Sequence, residues 1–170
     1  MTMKPRIAAA LSAAIVAGVT VFGFTFLPGL WVWASFIGWA SYDQSGENLT
    51  ALLTSSVCMV FGVVMAWLVA LVVAGNLLPL PEAAASALAA GLASFVIVLV
   101  SGTKVLSNVP ATFYGFASAF AFLLLTNGHF SVPAMTAPDL GNVLICVPVS
   151  LLIGSALGWL QQQFNGWLAR

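Results

Sequence analysis

A ten-residue segment of this sequence occurs twice, and that duplication restricts the possible folds more than any other feature. Residues 32–41 align without a gap with residues 109–118, at a spacing of 77 residues, and six of the ten positions are identical. Residues 60–68 align with residues 152–160 at a spacing of 92 residues, with glycine, tryptophan and leucine in register. The chain is therefore predicted to contain a duplicated unit of three helices, with a longer loop in the second copy.

The composition predicts that this duplicated unit lies in a lipid bilayer. Of the 170 residues, 62% are hydrophobic and 5% are charged, and the mean hydropathy is +1.11. Ordinary soluble domains have about 25% charged residues. The four basic and four acidic side chains give zero net charge, which predicts no basic patch for nucleic acid. We predict a single membrane domain over residues 1–170, with the lipid bilayer as its surroundings.

We predict an all-α, polytopic membrane protein with six transmembrane helices in two repeats, residues 7–76 and residues 83–165. The first apolar run follows two basic residues, as in a signal peptide, but it is longer than the usual signal core and lacks a clear cleavage site. It is therefore expected to be retained as a helix. The second run, residues 30–42, would span only about 20 Å of a hydrocarbon core of about 30 Å. Helix 2 and its repeat, helix 5, are thus either short tilted spans or re-entrant.

Several side chains are predicted to mark the ends of helices. Asn48, Asn108 and Asn142 stand before apolar runs, where an asparagine oxygen can cap the first turn of a helix, and Asn76 also lies near a helix end. Pro148 is predicted to lie within helix 6 and to kink it. The apolar runs place helix 3 near residues 49–78 and the remaining three helices near residues 83–102, 109–126 and 140–160.

The basic residues predict the orientation of the chain, because lysine and arginine are retained on the cytoplasmic side of a membrane. With six spans and a cytoplasmic N-terminus, all four basic residues fall inside: Lys4, Arg6, Lys104 and Arg170. Both termini are then cytoplasmic. An odd number of spans in each repeat makes the second repeat inverted relative to the first, as in many transporters.

One face of each short helix consists of small residues. These are Ala34, Gly38 and Ser41 in helix 2, and Ala111, Gly115 and Ser118 in helix 5. Small residues allow helix backbones to approach each other closely in lipid, and this role explains them without any other function. We predict that these six residues form helix contacts, and we call the two sets the small faces.

The opposite face of each short helix is aromatic. Phe36 and Trp39 in helix 2 correspond to Phe113 and Phe116 in helix 5, and the hydroxyl residues Ser35 and Thr112 flank these rings. In an inverted repeat Phe36 and Phe113 would meet near the membrane centre, where such transporters have their substrate path. These six residues are the candidate lining of that path. The alternatives are rings that face lipid or the core, and hydroxyls bonded to carbonyls of their own helices.

Motifs for catalysis and cofactor binding are lacking in this sequence. No ionisable residue lies within a predicted span, which disfavours proton or ion coupling. No nucleotide, zinc or nucleophile–base motif is found, so we expect no enzyme activity, cofactor or metal site. Cys58 and Cys146 are predicted to be buried thiols, and His129, in the longest loop, a solvated side chain.

Two stretches of the chain resemble the signatures of a known family. Residues 33–38, the turn containing Gly46, and residues 109–115 are similar to those of the YcdZ-like family of bacterial inner-membrane proteins, the domain of unknown function DUF1097. The resemblance covers nearly the whole chain, and residues 109–115 are its more specific part. It implies a multi-pass protein of the bacterial inner membrane and brings no activity with it.

The duplicated short helices suggest a channel or facilitator for a small neutral or weakly polar solute, formed as a homo-oligomer. The alternative is a membrane scaffold or partner subunit that transports nothing. In that alternative, the small faces would contact another protomer or another protein, and no solute flux would exist to be lost on mutation.

Overall fold

The structure is a computed structural model that describes residues 4–169. Regular structure in this part of the chain is entirely helical: α1 (Pro5–Phe24), α2 (Val32–Gln44), α3 (Leu49–Ala74), α4 (Glu82–Val100), α5 (Val109–Leu125), α6 (Val132–Thr136) and α7 (Val143–Leu168). Four of these helices, α1, α3, α4 and α7, are long and apolar enough to cross a membrane. The protein is therefore an all-α protein whose apolar helices indicate embedding in a membrane.

The helix bounds differ from the predicted ones in three places. Helix α2 continues to Gln44, so Asp43 lies in its last turn and not in the following loop. The loop after α5 contains the short helix α6, which begins with a proline in its first turn, where the missing N–H costs little. Helix α7 continues through Pro148 and includes the tail that was predicted to be a separate interfacial segment. Arg170 lies outside the described residues.

Asparagine caps begin three of the helices, as predicted. The side-chain oxygens of Asn48, Asn108 and Asn142 accept hydrogen bonds from backbone N–H groups of α3, α5 and α7, at 2.8 Å, 3.1 Å and 2.9 Å. Asn76 instead lies just beyond the end of α3 with a φ of +49°, a conformation that asparagine tolerates better than most residues. The polar breaks between the apolar runs therefore define where these helices start and stop.

The two long helices α3 and α7 lie at the centre of the bundle and contact each other. The short helix α2 packs mainly on α7, and the short helix α5 packs mainly on α3. Helix α1 also lies on α7, and α4 lies on α3. Each long helix is thus surrounded by the first two helices of the other repeat, so the two predicted repeats interlock.

Two glycines bring the backbones of α2 and α7 into direct contact. A Cβ atom on Gly38 would overlap the carbonyl oxygen of Leu151, and a Cβ atom on Gly154 would overlap the carbonyl oxygen of Ser35. A glycine Cα–H group at such a distance can donate a weak hydrogen bond to the carbonyl. The close approach therefore requires glycine at both positions.

The same arrangement joins α3 and α5. A Cβ atom on Gly115 would overlap the carbonyl oxygen of Met59, and one on Gly62 would overlap the carbonyl oxygen of Thr112. Positions 115 and 112 follow the α2 positions by 77 residues, and positions 59 and 62 precede the α7 positions by 92 residues. The spacings found in the sequence thus relate one backbone contact to the other.

The end of α7 is tied to α1 and α2 by side-chain amides. Gln162 accepts a hydrogen bond from the Tyr42 hydroxyl at 2.6 Å and donates one to the Glu47 carboxylate at 3.0 Å. Gln161 donates to the Ser12 hydroxyl at 2.8 Å. These bonds explain why α7 remains helical beyond its apolar part.

Both cysteines are buried and free, as predicted. The thiol of Cys146 donates to the carbonyl oxygen of Gly29 at 2.9 Å, and the thiol of Cys58 lies 3.6 Å from the carbonyl oxygen of Val105. Each thiol therefore packs in the core as a small side chain with a local acceptor.

We expect Gly115→Ala to lower the free energy of unfolding by about 1–3 kcal/mol, because the added methyl group would force α5 away from α3. The matched control is Gly91→Ala in α4, since a Cβ atom there meets nothing within 4 Å. The control is expected to be neutral or to stabilise the protein by about 0.5–1 kcal/mol. The unfolding of both variants in detergent micelles can be followed by tryptophan fluorescence. Equal stability of Gly115→Ala and the wild type would contradict the backbone contact.

Candidate functional site

The structure places the predicted aromatic pair in separate surroundings. The exposed ring of Phe36 stacks on Trp39, with ring centres 6.1 Å apart and an interplanar angle of 12°. The ring of Phe113 meets Phe116 edge to face, with centres 6.3 Å apart. Among the described residues, no aromatic ring pair joins Phe36 to Phe113. A role of these four rings in a solute path stays a prediction.

Phe36 and Trp39 line a surface depression of about 310 Å³ between α1 and α2, together with Asp43. Phe116 packs against the central core instead. The rings at equivalent positions of the two repeats therefore have different neighbours, and they do not form one continuous surface.

The two flanking hydroxyls are used inside their own helices. Ser35 Oγ donates to the carbonyl oxygen of Val32 at 2.7 Å, and Thr112 Oγ1 donates to that of Asn108 at 3.2 Å. Both side chains are 1% exposed. This is the bonding that the alternative interpretation of these residues predicted, so their single hydroxyl protons are already engaged.

The small faces of α2 and α5 are buried, and each ends in a hydroxyl without a partner. Ala34 and Ala111 are almost completely inaccessible to solvent. Ser41 and Ser118 are buried as well, and within the described chain their Oγ atoms make no hydrogen bond. Buried hydroxyls are nearly always bonded in proteins, so two unpartnered ones at equivalent positions require an explanation.

A polar cleft opens where α2 ends and where α3 and α5 begin. Its volume is about 730 Å³, and it is lined by Gln44, Ser45, Asn48, Thr50, Ala51, Thr54, Ser107, Asn108 and Pro110. We call this cleft the polar vestibule. Its lining offers amide and hydroxyl groups that both donate and accept hydrogen bonds, and none of the lining residues is charged.

One hydrogen bond crosses the polar vestibule and joins the two short helices. Asn108 Nδ2 donates to Ser45 Oγ at 2.7 Å, while the Asn108 side-chain oxygen caps α5. Asn108 therefore both starts α5 and ties that start to the end of α2. This residue was predicted only as a cap, because its contact with Ser45 depends on the packing of the helices.

A second cleft lies at the opposite end of the short helices, where α5 ends and α2 begins. Its volume is about 630 Å³, and it is lined by Gly29, Leu30, Trp31, Val32, Trp33, Phe122, Thr126, His129, Leu140 and Gly141. We call it the aromatic vestibule. Its rings form a chain of edge-to-face contacts, with centres 5.6 Å, 5.8 Å and 5.2 Å apart from Trp33 to His129.

The two vestibules correspond to each other through the spacing of the repeat. Trp31 precedes Asn108 by 77 residues, and Ser45 precedes Phe122 by the same number. The contact between Trp31 and Phe122 therefore occupies the place of the hydrogen bond between Asn108 and Ser45. The sequence alignment did not reveal this pair, because the equivalent residues have unrelated chemistry and lie outside the aligned segments.

His129 is not the freely solvated side chain that was predicted. The helix α6 folds the long loop back over the end of α5, so the His129 ring is half-buried and packs edge to face on Phe122. Its Nδ1 atom lies 3.1 Å from the carbonyl oxygen of Asn127. Within residues 4–169, no three His, Cys, Asp or Glu side chains are grouped so that they could hold a metal ion.

The family of the chain follows from a comparison with protein-family models. The model described as a protein of unknown function, DUF1097, matches residues 10–166. The chain belongs to the DUF1097 family. No curated protein and no solved structure matches the chain. The function of this DUF1097 protein must therefore be argued from its own geometry.

We expect Asn108→Ala to lower the free energy of unfolding by about 1–2 kcal/mol, since it removes both the cap of α5 and the bond to Ser45. Asn108→Ser keeps a capping oxygen but loses the amide donor, so its loss should be smaller. Chemical denaturation in micelles measures both values. If the alanine and serine variants were equally stable, the capping role would be refuted.

Proposed function

We propose that this DUF1097 protein is a facilitator in the bacterial inner membrane through which a small, neutral, polar solute passes between the polar and the aromatic vestibules. The observation that supports this most directly is the position of the two clefts at opposite ends of the same helix pair, α2 and α5. Two clefts in such positions are what a passage requires at its two entrances.

The proposed path follows the small faces of α2 and α5. On α2, Trp31 at one vestibule and Ser45 at the other are 14 residues apart, which returns to nearly the same side of a helix. The helical spacing places Ala34 and Ser41 between them, and the corresponding residues of α5 lie between Asn108 and Phe122. Small side chains leave the narrowest possible barrier between two helices.

The unpartnered hydroxyls of Ser41 and Ser118 support a polar path. Each lies one helical turn from a residue that lines a vestibule, namely Ser45 and Phe122. A solute or a water molecule between the helices would satisfy both hydroxyls when the contact of α2 with α5 opens. The residues are buried in this structure, so passage requires such an opening.

The chemistry of the proposed path favours a neutral solute. An ion would need charged or strongly polar partners to leave water, and the lining of the polar vestibule offers only uncharged amides and hydroxyls. The expected solute is therefore similar in size and polarity to urea or glycerol.

The same proposal includes six membrane spans arranged as an inverted repeat. The matched glycine contacts of α2 with α7 and of α5 with α3 support it, as does the correspondence of the two vestibules. In this arrangement the N-terminus is cytoplasmic and the polar vestibule opens to the cytoplasm. The aromatic vestibule then opens to the outer side.

A scaffold without transport is the second candidate, but the contacts of the small faces disfavour the form of it that was predicted. Gly38 and Gly115 are in contact with helices of the same chain, which leaves neither glycine for a partner protein. Assembly into a homo-oligomer stays a prediction and would need another surface.

We expect vesicles that contain the protein to swell faster in urea or glycerol than protein-free vesicles do, as measured by light scattering. The double variant Ser41→Val with Ser118→Val should slow this swelling about tenfold, an increase of about 1.4 kcal/mol in the barrier. It removes both hydroxyls and narrows the passage.

Ser94→Val is the matched control for this experiment. Ser94 lies on α4 and its hydroxyl bonds back to Ala90 at 2.9 Å, so its loss should leave the swelling rate unchanged. Unfolding temperatures establish that all variants are folded. Wild-type protein that swells no faster than protein-free vesicles would rule out the facilitator.

The six-span topology predicts the accessibility of two loops in intact cells. In a background with Cys58→Ala and Cys146→Ala, a membrane-impermeant maleimide should label Asn127→Cys and should not label Thr103→Cys. Opening the cells should make Thr103→Cys reactive. Labelling of both positions in intact cells would show instead that α2 and α5 are re-entrant.

A further inference from the structure

We propose that the groove between α3 and α4 is a binding site for one phospholipid with a primary ammonium headgroup, phosphatidylethanolamine. Its acyl chain occupies the groove, and its headgroup occupies a polar pocket at the end where α3 stops and α4 starts. This site is separate from both vestibules and does not depend on transport.

The groove is apolar along its whole length. It has a volume of about 320 Å³ and is lined by Met65, Leu68, Val69, Val72, Leu78, Leu88, Ala89, Leu92, Ala93 and Val96. The alanines of α4 pack directly against valines of α3, which makes the floor of the groove shallow and smooth. In a bilayer, such a channel between two helices is filled by a hydrocarbon chain, because dispersion contacts would otherwise be lost.

A polar pocket continues the groove at one end. It has a volume of about 410 Å³ and is lined by Val73, Ala74, Asn76, Glu82, Phe130, Ser131, Val132 and Pro133. Val72 lines the groove and Val73 lines the pocket, and Phe130 packs on the same cluster of valines and alanines that forms the groove floor. An apolar channel that ends in a polar pocket matches the two parts of a phospholipid.

The charge of the pocket selects the headgroup. Glu82 is exposed in the first turn of α4, while Lys104, the basic residue closest to α4 in sequence, follows the opposite end of that helix. Helix α4 has 19 residues, a length of about 28 Å, so Lys104 is too far from Glu82 to form an ion pair. A primary ammonium group donates up to three hydrogen bonds, and Glu82, the Asn76 side-chain oxygen and Ser131 can accept them.

The lipid phosphate has suitable partners in the same pocket. Helix α4 begins after Pro81 without a side-chain cap, so the N–H groups of its first turn are available to an anion. The ammonium at Glu82 and the phosphate at these N–H groups together match a zwitterionic headgroup. An anionic headgroup without an ammonium would instead be repelled by Glu82.

Purified full-length protein in detergent, titrated with phosphatidylethanolamine or phosphatidylglycerol and measured by native mass spectrometry, tests the site. We expect one retained phosphatidylethanolamine per chain and weaker retention of phosphatidylglycerol. Glu82→Gln should weaken phosphatidylethanolamine binding about 2–5-fold and remove the preference between the two lipids. Asp139→Asn, another exposed carboxylate, is the matched control and should change neither.

The groove itself is tested by a second pair of variants. Ala89→Leu places a larger side chain on the groove floor and should abolish the retained lipid, whereas Ala87→Leu on the exposed side of α4 should not. Equal retention of both lipids by the wild type and Glu82→Gln would overturn the proposal, since it indicates only non-specific surrounding lipid. Undiminished lipid binding by Ala89→Leu would also overturn it. If Ala89→Leu does not fold, the Glu82→Gln comparison alone decides.

Discussion

Direct contact between helix backbones is the constraint on which the rest of this structure depends. At Gly38, Gly154, Gly115 and Gly62 the carbonyl oxygen of a neighbouring helix occupies the space of a side chain. In lipid, apolar side chains gain little by leaving one apolar surrounding for another, so close packing and weak Cα–H···O bonds must supply the association. These contacts fix α2 on α7 and α5 on α3. They thereby set where the ends of the short helices lie and where the two vestibules open.

The sequence was sufficient to predict the helices and the caps but not the surfaces between helices. The apolar runs and the asparagines at 48, 108 and 142 carry local signals, because a cap depends on a few neighbouring residues. The placement of Phe36 depends instead on which helix covers its face, and no local pattern encodes that. The same holds for His129, which a five-residue helix folds onto Phe122. The vestibules were missed for a similar reason, since each combines residues of three distant segments.

The two vestibules illustrate how a duplicated fold can retain its geometry while its chemistry diverges. The contact between Asn108 and Ser45 and the contact between Trp31 and Phe122 hold equivalent positions together, one by a hydrogen bond and the other by two rings. A polar entrance on one side and an aromatic one on the other would give a solute different surroundings at the two ends of a path. Divergence at these positions is tolerated because the glycines, and not the residues of the clefts, carry the packing.

The interlocking of the halves has a consequence for how the chain is made. Helices α3, α4 and α5 follow one another in sequence, so their contacts can form as soon as α5 has left the ribosome. Helix α2, in contrast, depends on α7, and the bond from Trp31 to Ser150 joins residues 119 positions apart. During synthesis the glycine face of α2 must wait in the bilayer, without its partner, until the last helix is inserted. Nascent chains that end before α7 should therefore be the ones that quality-control proteases remove.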